Sequence, residues 1–196
     1  MMALKLNTAP TVEPIDLAKA KTHLRIDLDD EGENQLIEDY IEAARLECER
    51  FQNRSYITQT WELWLDNWPG SGTIELKRPP VQSVTSVKYY DTSDTEATFS
   101  SDDYFVDTKD QYSPRLVLGY GKSWPSTTLR PANGVCVTYV TGYGDSGDDV
   151  PGNLKSAVLL MLGHFYENRE AVIAGGGGAT EMPLGVKALL SLERVY

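Results

Sequence analysis

Residues 30–66 read DEGENQLIEDYIEAARLECERFQNRSYITQTWELWLD, and a change of period inside this stretch decides the fold. Up to Phe51 the apolar positions Ile37, Ile41, Ala44, Cys48 and Phe51 recur at i, i+4, i+7, i+11 and i+14, which is one face of a helix. Asp30 and Glu33 form a capping-box-like pair ahead of it. Glu38, Asp39, Glu42, Arg45, Glu49 and Arg50 on the other positions predict a solvated surface laced with ion pairs. After Arg54 the period becomes two. Ile57, Trp61, Leu63 and Leu65 share one parity and Thr58, Thr60, Glu62 and Asp66 the other, as in a strand.

Towards the N-terminus, Leu17, Ala20 and Leu24 predict a short helix, with Asp16 placed to cap it after Pro14. Towards the C-terminus, strand candidates follow at Thr73–Lys77, Val84–Tyr90, Tyr104–Asp107, Arg115–Leu118 and Val135–Thr141, separated by Gly, Pro, Ser and Asp. Their spacing predicts an antiparallel β sandwich or small barrel. The helical period returns after the acidic turn Asp145–Asp149. Pro151 suits a first helical position, and Leu154, Ala157, Val158, Met161, Leu162 and Phe165 make a wide apolar face for a central helix. Gly175–Gly178 cannot hold a helix, and a last amphipathic helix runs from about Gly185 to Val195, with Val186, Leu189 and Leu190 inward. The fold class is α+β: a four-helix domain from both chain ends, residues 1–55 and 147–196, with an antiparallel β domain, 56–146, inserted between.

The chain has 196 residues, 41% apolar, with 29 acidic against 18 basic side chains and a net charge of −11. Such a composition buries a real core and bounds the answer at one domain, or a small one carrying an insertion. The longest apolar stretch, Ala157–Leu162, falls far short of the roughly 20 residues that cross a bilayer. Lys5, Asn7, Pro10 and Glu13 interrupt any secretory segment, so a soluble, cytosolic chain with no membrane partner is expected. No basic run could release the counterions of a nucleic acid, which excludes tight binding to one. Cys48 and Cys136 are too far apart to suggest a disulfide framework or metal knuckle and are expected as buried thiols.

Catalytic and cofactor signatures are wanting. Gly121-Lys122-Ser123 has Leu116 where a phosphate loop needs its first glycine, and Trp124-Pro125 follows where a helix should start. A turn between strands accounts for Gly119-Tyr120-Gly121. Asp27-Leu28-Asp29-Asp30-Glu31-Gly32 with Glu38 has the spacing of a calcium loop. Glu31 and Asn34 depart from that pattern, and no second hand accompanies it. His23 and His164 sit beside apolar helix positions, where a structural histidine outweighs a catalytic one. No catalytic residue, metal or cofactor is therefore assigned. Trp61, Trp64, Trp68 and Trp124 either fill the β core or form a contact surface.

Three segments taken together carry a resemblance: Pro14-Ile15-Asp16-Leu17-Ala18-Lys19-Ala20-Lys21-Thr22-His23-Leu24-Arg25-Ile26, Val150-Pro151-Gly152-Asn153-Leu154-Lys155-Ser156-Ala157, and His164-Phe165-Tyr166-Glu167-Asn168-Arg169-Glu170. With Trp124-Pro125, Val137–Tyr143 and Leu184–Leu190, they make the chain resemble the tailed-bacteriophage or prophage head-tail connector family, also called head-completion or adaptor proteins. No one motif is specific, but their order and spacing are. The glycine run is longer than the family pattern.

The resemblance implies a structural protein, not an enzyme. Copies would form a ring of about twelve beneath the portal protein of a virion neck, meeting a tail-completion or stopper protein below. DNA would pass through without being gripped, and assembly would take place in the host bacterial cytoplasm. The second and third helices are expected to offer ring contact faces. Candidate partner or neighbour contacts are Arg169, Glu170, Gly175, Gly176, Gly177, Gly178, Leu184 and Tyr196. The loop Ala171–Pro183 is expected to be mobile and to order on docking, because ordering glycines costs about 1–2 kcal/mol each. Other readings are a carbohydrate- or protein-contacting β module of a tail, a tail terminator or other neck protein, and a two-carboxylate hydrolase.

Overall fold

In the computed structural model, which describes residues 1–169, 182–191 and 194–195, the chain divides into two units. Met1–Pro10 joins Thr58–Tyr143 in a β unit, and Thr11–Ile57 joins Gly144–Tyr196 in a helical unit. The β unit therefore includes a strand that was not expected. Met2–Thr8 (β1) pairs antiparallel with Gln59–Leu65 (β2), so the first ten residues do not belong with the helices. Met2, Leu4 and Leu6 alternate with Ala3, Lys5 and Asn7, the period of a strand, and only a partner strand makes so short a run decisive.

The remaining strands are Thr73–Glu75 (β3), Val81–Tyr90 (β4), Glu96–Thr98 (β5), Tyr104–Asp107 (β6), Arg115–Leu118 (β7) and Val135–Thr141 (β8). They form a five-stranded sheet in the order β1-β2-β8-β4-β5 and a three-stranded sheet in the order β3-β7-β6, with every strand pair antiparallel. The sheets share one core. Leu63, Val87, Val137 and Tyr139 come from the larger, Ile74 and Leu116 from the smaller, and Leu76 and Phe99 from the segments beside them. Tyr139 binds the two layers through its hydroxyl, which donates to the Lys77 carbonyl (3.0 Å) and accepts from the Lys77 amide (3.2 Å). Among the described residues no closed barrel forms, so each sheet keeps two edges.

In the helical unit, Leu17–Leu24 (α1) is capped by Asp16, whose carboxylate accepts from the Lys19 amide at 2.7 Å. It ends on Arg25 in the left-handed region (φ 60°). The second helix, α2, spans Asn34–Gln52 and lacks the expected cap pair: Glu33 is its N-cap residue but its side chain makes no capping bond, while the Asp30 carboxylate accepts from Gly32 inside the preceding loop. Gly152–Glu167 (α3) starts one residue later than expected, with Pro151 as N-cap. The acidic residues before it form a 3-10 turn whose Ser146 and Asp149 cap each other. Gly144 is needed here, since a Cβ would lie 2.2 Å from the Asp149 carboxylate. Leu184–Ser191 (α4) is shorter than expected. α3 packs on the other three helices, as its apolar middle predicts.

Ile37, Ile41, Ala44 and Cys48 face the core as expected. Arg45 and Glu49 do not face water, and that corrects the reading of α2. They sit one step round the helix from the apolar stripe, and Arg45, 2% exposed, is held by both oxygens of Glu13 (2.7 and 3.0 Å) and by Glu49 (3.0 Å). The other Glu49 oxygen accepts from the Tyr56 amide at 2.6 Å. The Tyr56 hydroxyl donates to the Gln52 side chain (2.6 Å), which donates in turn to the Leu190 carbonyl of α4 (2.8 Å). Replacing Arg45 by leucine leaves the buried Glu49 carboxylate, and the partly exposed one of Glu13, without their cation. It should cost the helical unit about 3–5 kcal/mol, read as a lowered urea midpoint of the helical circular-dichroism signal. A loss under about 1 kcal/mol would show that the pairs contribute nothing net.

Candidate assembly surfaces

Of the expected contact residues, Glu170, Gly175, Gly176, Gly177, Gly178 and Tyr196 lie outside the described residues, as does the loop Ala171–Pro183 apart from Met182 and Pro183. Arg169 and Leu184 are described. Leu184 opens α4 at 83% exposure, an apolar side chain offered to water. Arg169 is engaged: its guanidinium meets Glu33 at 2.8 Å and lies over the Tyr166 ring at 4.5 Å, while the Tyr166 hydroxyl donates to the same carboxylate. This surface triad ties the end of α3 to the start of α2. Exposed leucines on the two long helices, Leu46 on α2 and Leu160 on α3, are further apolar points.

Hydrogen bonds from Tyr166 and Arg169 hold the Glu33 carboxyl below its ordinary value. A depressed carboxyl stabilises the fold above its unfolded value, about 4.3, and the gain disappears as pH falls through the lower folded value. Glu33→Gln should therefore lower the urea midpoint at neutral pH and converge with the parent chain in acid. Parallel curves down to the acid limit would contradict this.

The loop with calcium-like spacing is organised by an amine. Lys21, only 3% exposed, donates to the Leu28 carbonyl (3.0 Å) and the Asp30 carbonyl (2.6 Å), so the loop backbone wraps around an ammonium. Among the described residues no group of three or more His, Cys, Asp or Glu could hold a metal ion. Lys21→Met removes two charge-assisted bonds and should cost about 1.5–3 kcal/mol, with faster hydrogen exchange at Gly32. Unchanged exchange would show that the loop does not depend on the amine.

The other chemically suggestive residues resolve into structure. Burial pushes the Cys48 thiol up to about 12 and the Cys136 thiol to about 11, so neither is a nucleophile at neutral pH. His23 is exposed, and the His164 ring packs 6.1 Å from Phe165. Gly121 adopts φ +73° in a turn closed by the Lys122 amide on the Gly119 carbonyl. A polar cleft of about 220 Å³ lies between Glu13–Asp16 and Ser146–Asp148, flanked by Lys19 and Lys155. Gly147 brings its backbone against Pro14 there, and a Cβ would sit 2.8 Å from the Pro14 carbonyl. Trp68 stacks on Trp124 at 4.7 Å beside Phe99, both half-buried against the β core. Trp64 lies instead on the opposite parity, stacked on Tyr90 at 5.9 Å. Among the described residues no helix is long and apolar enough to cross a membrane.

Sequence reading passed over three exposed apolar residues on strands: Met2 and Leu6 on β1 and Phe105 on β6. The alternation of β1 was the available signal. Charge is also divided unevenly. The helical unit holds 19 of the 29 carboxylates and 10 of the 18 cations, a net −9, which leaves −2 on the β unit.

The surface features of the described residues are exposed apolar points and an uneven charge, the material of contacts between proteins. The chain belongs to the phage gp6-like head-tail connector family, whose model matches residues 14–119; it is a structural protein of the phage neck, not an enzyme. It is similar to a chain in the neck of an empty GTA particle computed with C6 symmetry, at 25% identity and TM-score 0.82, covering 99% of this chain and 96% of that one. It is similar to a chain in the virion of the native gene transfer agent (GTA) particle, at 26% identity and TM-score 0.81 over 98% and 95%. A third likeness, to the neck of a native GTA particle computed with C12 symmetry, has 24% identity and TM-score 0.74 over 98% and 96%, and bears on the fold alone. Comparison with curated proteins gives no match.

Proposed function

We propose that this chain forms a ring beneath the portal protein of a tailed-phage or phage-like particle, extends the DNA channel, and receives a tail-completion or stopper protein. The observation that carries the reading is the end-to-end likeness, across both units, to a chain from a particle neck computed with six-fold symmetry. A copy number of about twelve is compatible with that symmetry and with a cyclic ring. The physical chemistry agrees. Proteins grip DNA with cations that displace its counterions, whereas a subunit of net charge −11 has little to hold a phosphate polymer and lets it slide. Assembly belongs to the host cytoplasm, where the subunit meets a filled head.

Electron microscopy of the purified chain, alone and mixed with its portal protein, tests this. Rings seated coaxially on the portal are expected. A chain that stays monomeric and fails to bind the portal would overturn the reading.

A further inference from the structure

The ring reading leaves open which faces of neighbouring copies meet, and the β unit offers two that suit each other. Resting on that reading, we propose that the open edge of β1 in one copy docks on the open edge of β6 in the next.

β1 and β6 are each the last strand of their sheets. The Asp66 amide donates to the Met1 carbonyl (3.3 Å) and the Gly119 amide to the Asp103 carbonyl (2.8 Å). Alternation along the two antiparallel ladders then turns the backbone N–H and C=O groups of Met2, Leu4 and Leu6, and those of Tyr104 and Val106, away from their partners. Such an edge is a template for another strand. Each also carries apolar surface: Met2 (52% exposed) and Leu6 (39%) on β1, and Phe105 (53%) on β6. The remaining edges, β3 and β5, are three residues long.

Position within the β unit makes the contact head-to-tail. The segment leaving β3 runs under β2 and β8, with the Arg78 guanidinium 5.3 Å from the Trp61 ring and Lys77 bonded to Tyr139. At the other end of the small sheet, Tyr104 of β6 stacks on Phe99 at 5.8 Å, next to β5. β1 and β6 therefore lie on opposite flanks. Two unlike edges on opposite flanks make a heterologous contact, the kind that a ring requires, whereas one edge pairing with itself would stop at a dimer.

Charge identifies the occupant as a second copy. Bringing helical units of net −9 together costs repulsion wherever they approach within the screening length of about 8 Å, while β units of net −2 meet almost without it. Local charge does not oppose the contact: Lys5, paired with Glu62 at 3.5 Å, is the one charged residue in β1, and exposed Asp102, Lys109 and Asp110 flank β6.

The test uses Leu6→Glu and Phe105→Glu in the full chain, with Met2→Pro and Phe105→Ser as milder partners should either fail to fold, and Leu46→Glu and Leu160→Glu as helical controls. Circular dichroism checks the fold, and mass photometry and electron microscopy read assembly with and without portal. Each edge variant should lose the ring while the controls keep it. Mixing Leu6→Glu with Phe105→Glu chains should give one-to-one dimers and nothing larger, because each supplies the edge the other lacks. A wild-type ring unaffected by the edge substitutions, or lost only with the helical ones, would overturn the edge contact and leave the ring reading intact. A wild-type chain that forms no ring under any of these conditions would remove both.

Discussion

One buried cation organises the helical unit. Arg45 satisfies Glu13 from the segment before α1 and Glu49 from its own helix, and through Glu49 it fixes the backbone at Tyr56. An arginine suits this position because its planar fork grips Glu13 with two parallel bonds and still reaches Glu49, a geometry that the point charge of a lysine does not offer. Burial alone would disfavour its charge, and the carboxylates more than offset that, leaving the guanidinium more firmly protonated than usual. Gln52 continues the same helix face: its side chain donates to the Leu190 carbonyl, while its backbone carbonyl accepts from the Val195 amide, so segments far apart in sequence converge on the end of α2. Apolar packing could hold these helices together in several registers. The polar stripe selects one.

The β unit rests on a different constraint. β8 has a strand on each side, and Val135, Val137, Tyr139 and Thr141 on its inner parity are fully buried. Tyr139 adds a polar tie between layers within an otherwise apolar core. Trp68, Phe99 and Trp124 close one side of that core with ring-on-ring contacts, and Trp61 packs against it too, so three of the four tryptophans serve packing. Trp64 serves the outer face, where Tyr90 and the Arg130 guanidinium, 4.1 Å above the Tyr90 ring, build a second stack.

Much of this was legible in the sequence because it depends on local period and punctuation. The switch after Arg54, the strands Tyr104–Asp107, Arg115–Leu118 and Val135–Thr141, and the Asp16 cap all follow from neighbours within a few residues. What was hidden depended on distant partners. β1 is a seven-residue edge whose alternation gains meaning only beside β2, and Arg45 and Glu49 read as solvent-facing until Glu13 and Tyr56 are brought to them. The Asp27–Gly32 loop looked metal-like because its acidic spacing is visible and the ammonium of Lys21 within it is not. Of the candidate contact residues, Leu184 stands free on the surface while Arg169 is tied to Glu33, a distinction that spacing along the chain does not carry.

The bond from Gln52 to Leu190 joins residues 138 positions apart and has a consequence for synthesis. A ribosome delivers domains in order, and every strand of the β unit has been made by Tyr143. The helical unit must wait for α3 and α4, with the polar stripe of α2 exposed in the meantime. A chain that stops early would thus carry finished sheets beside an unfinished helix bundle, its buried arginine and glutamine still wet.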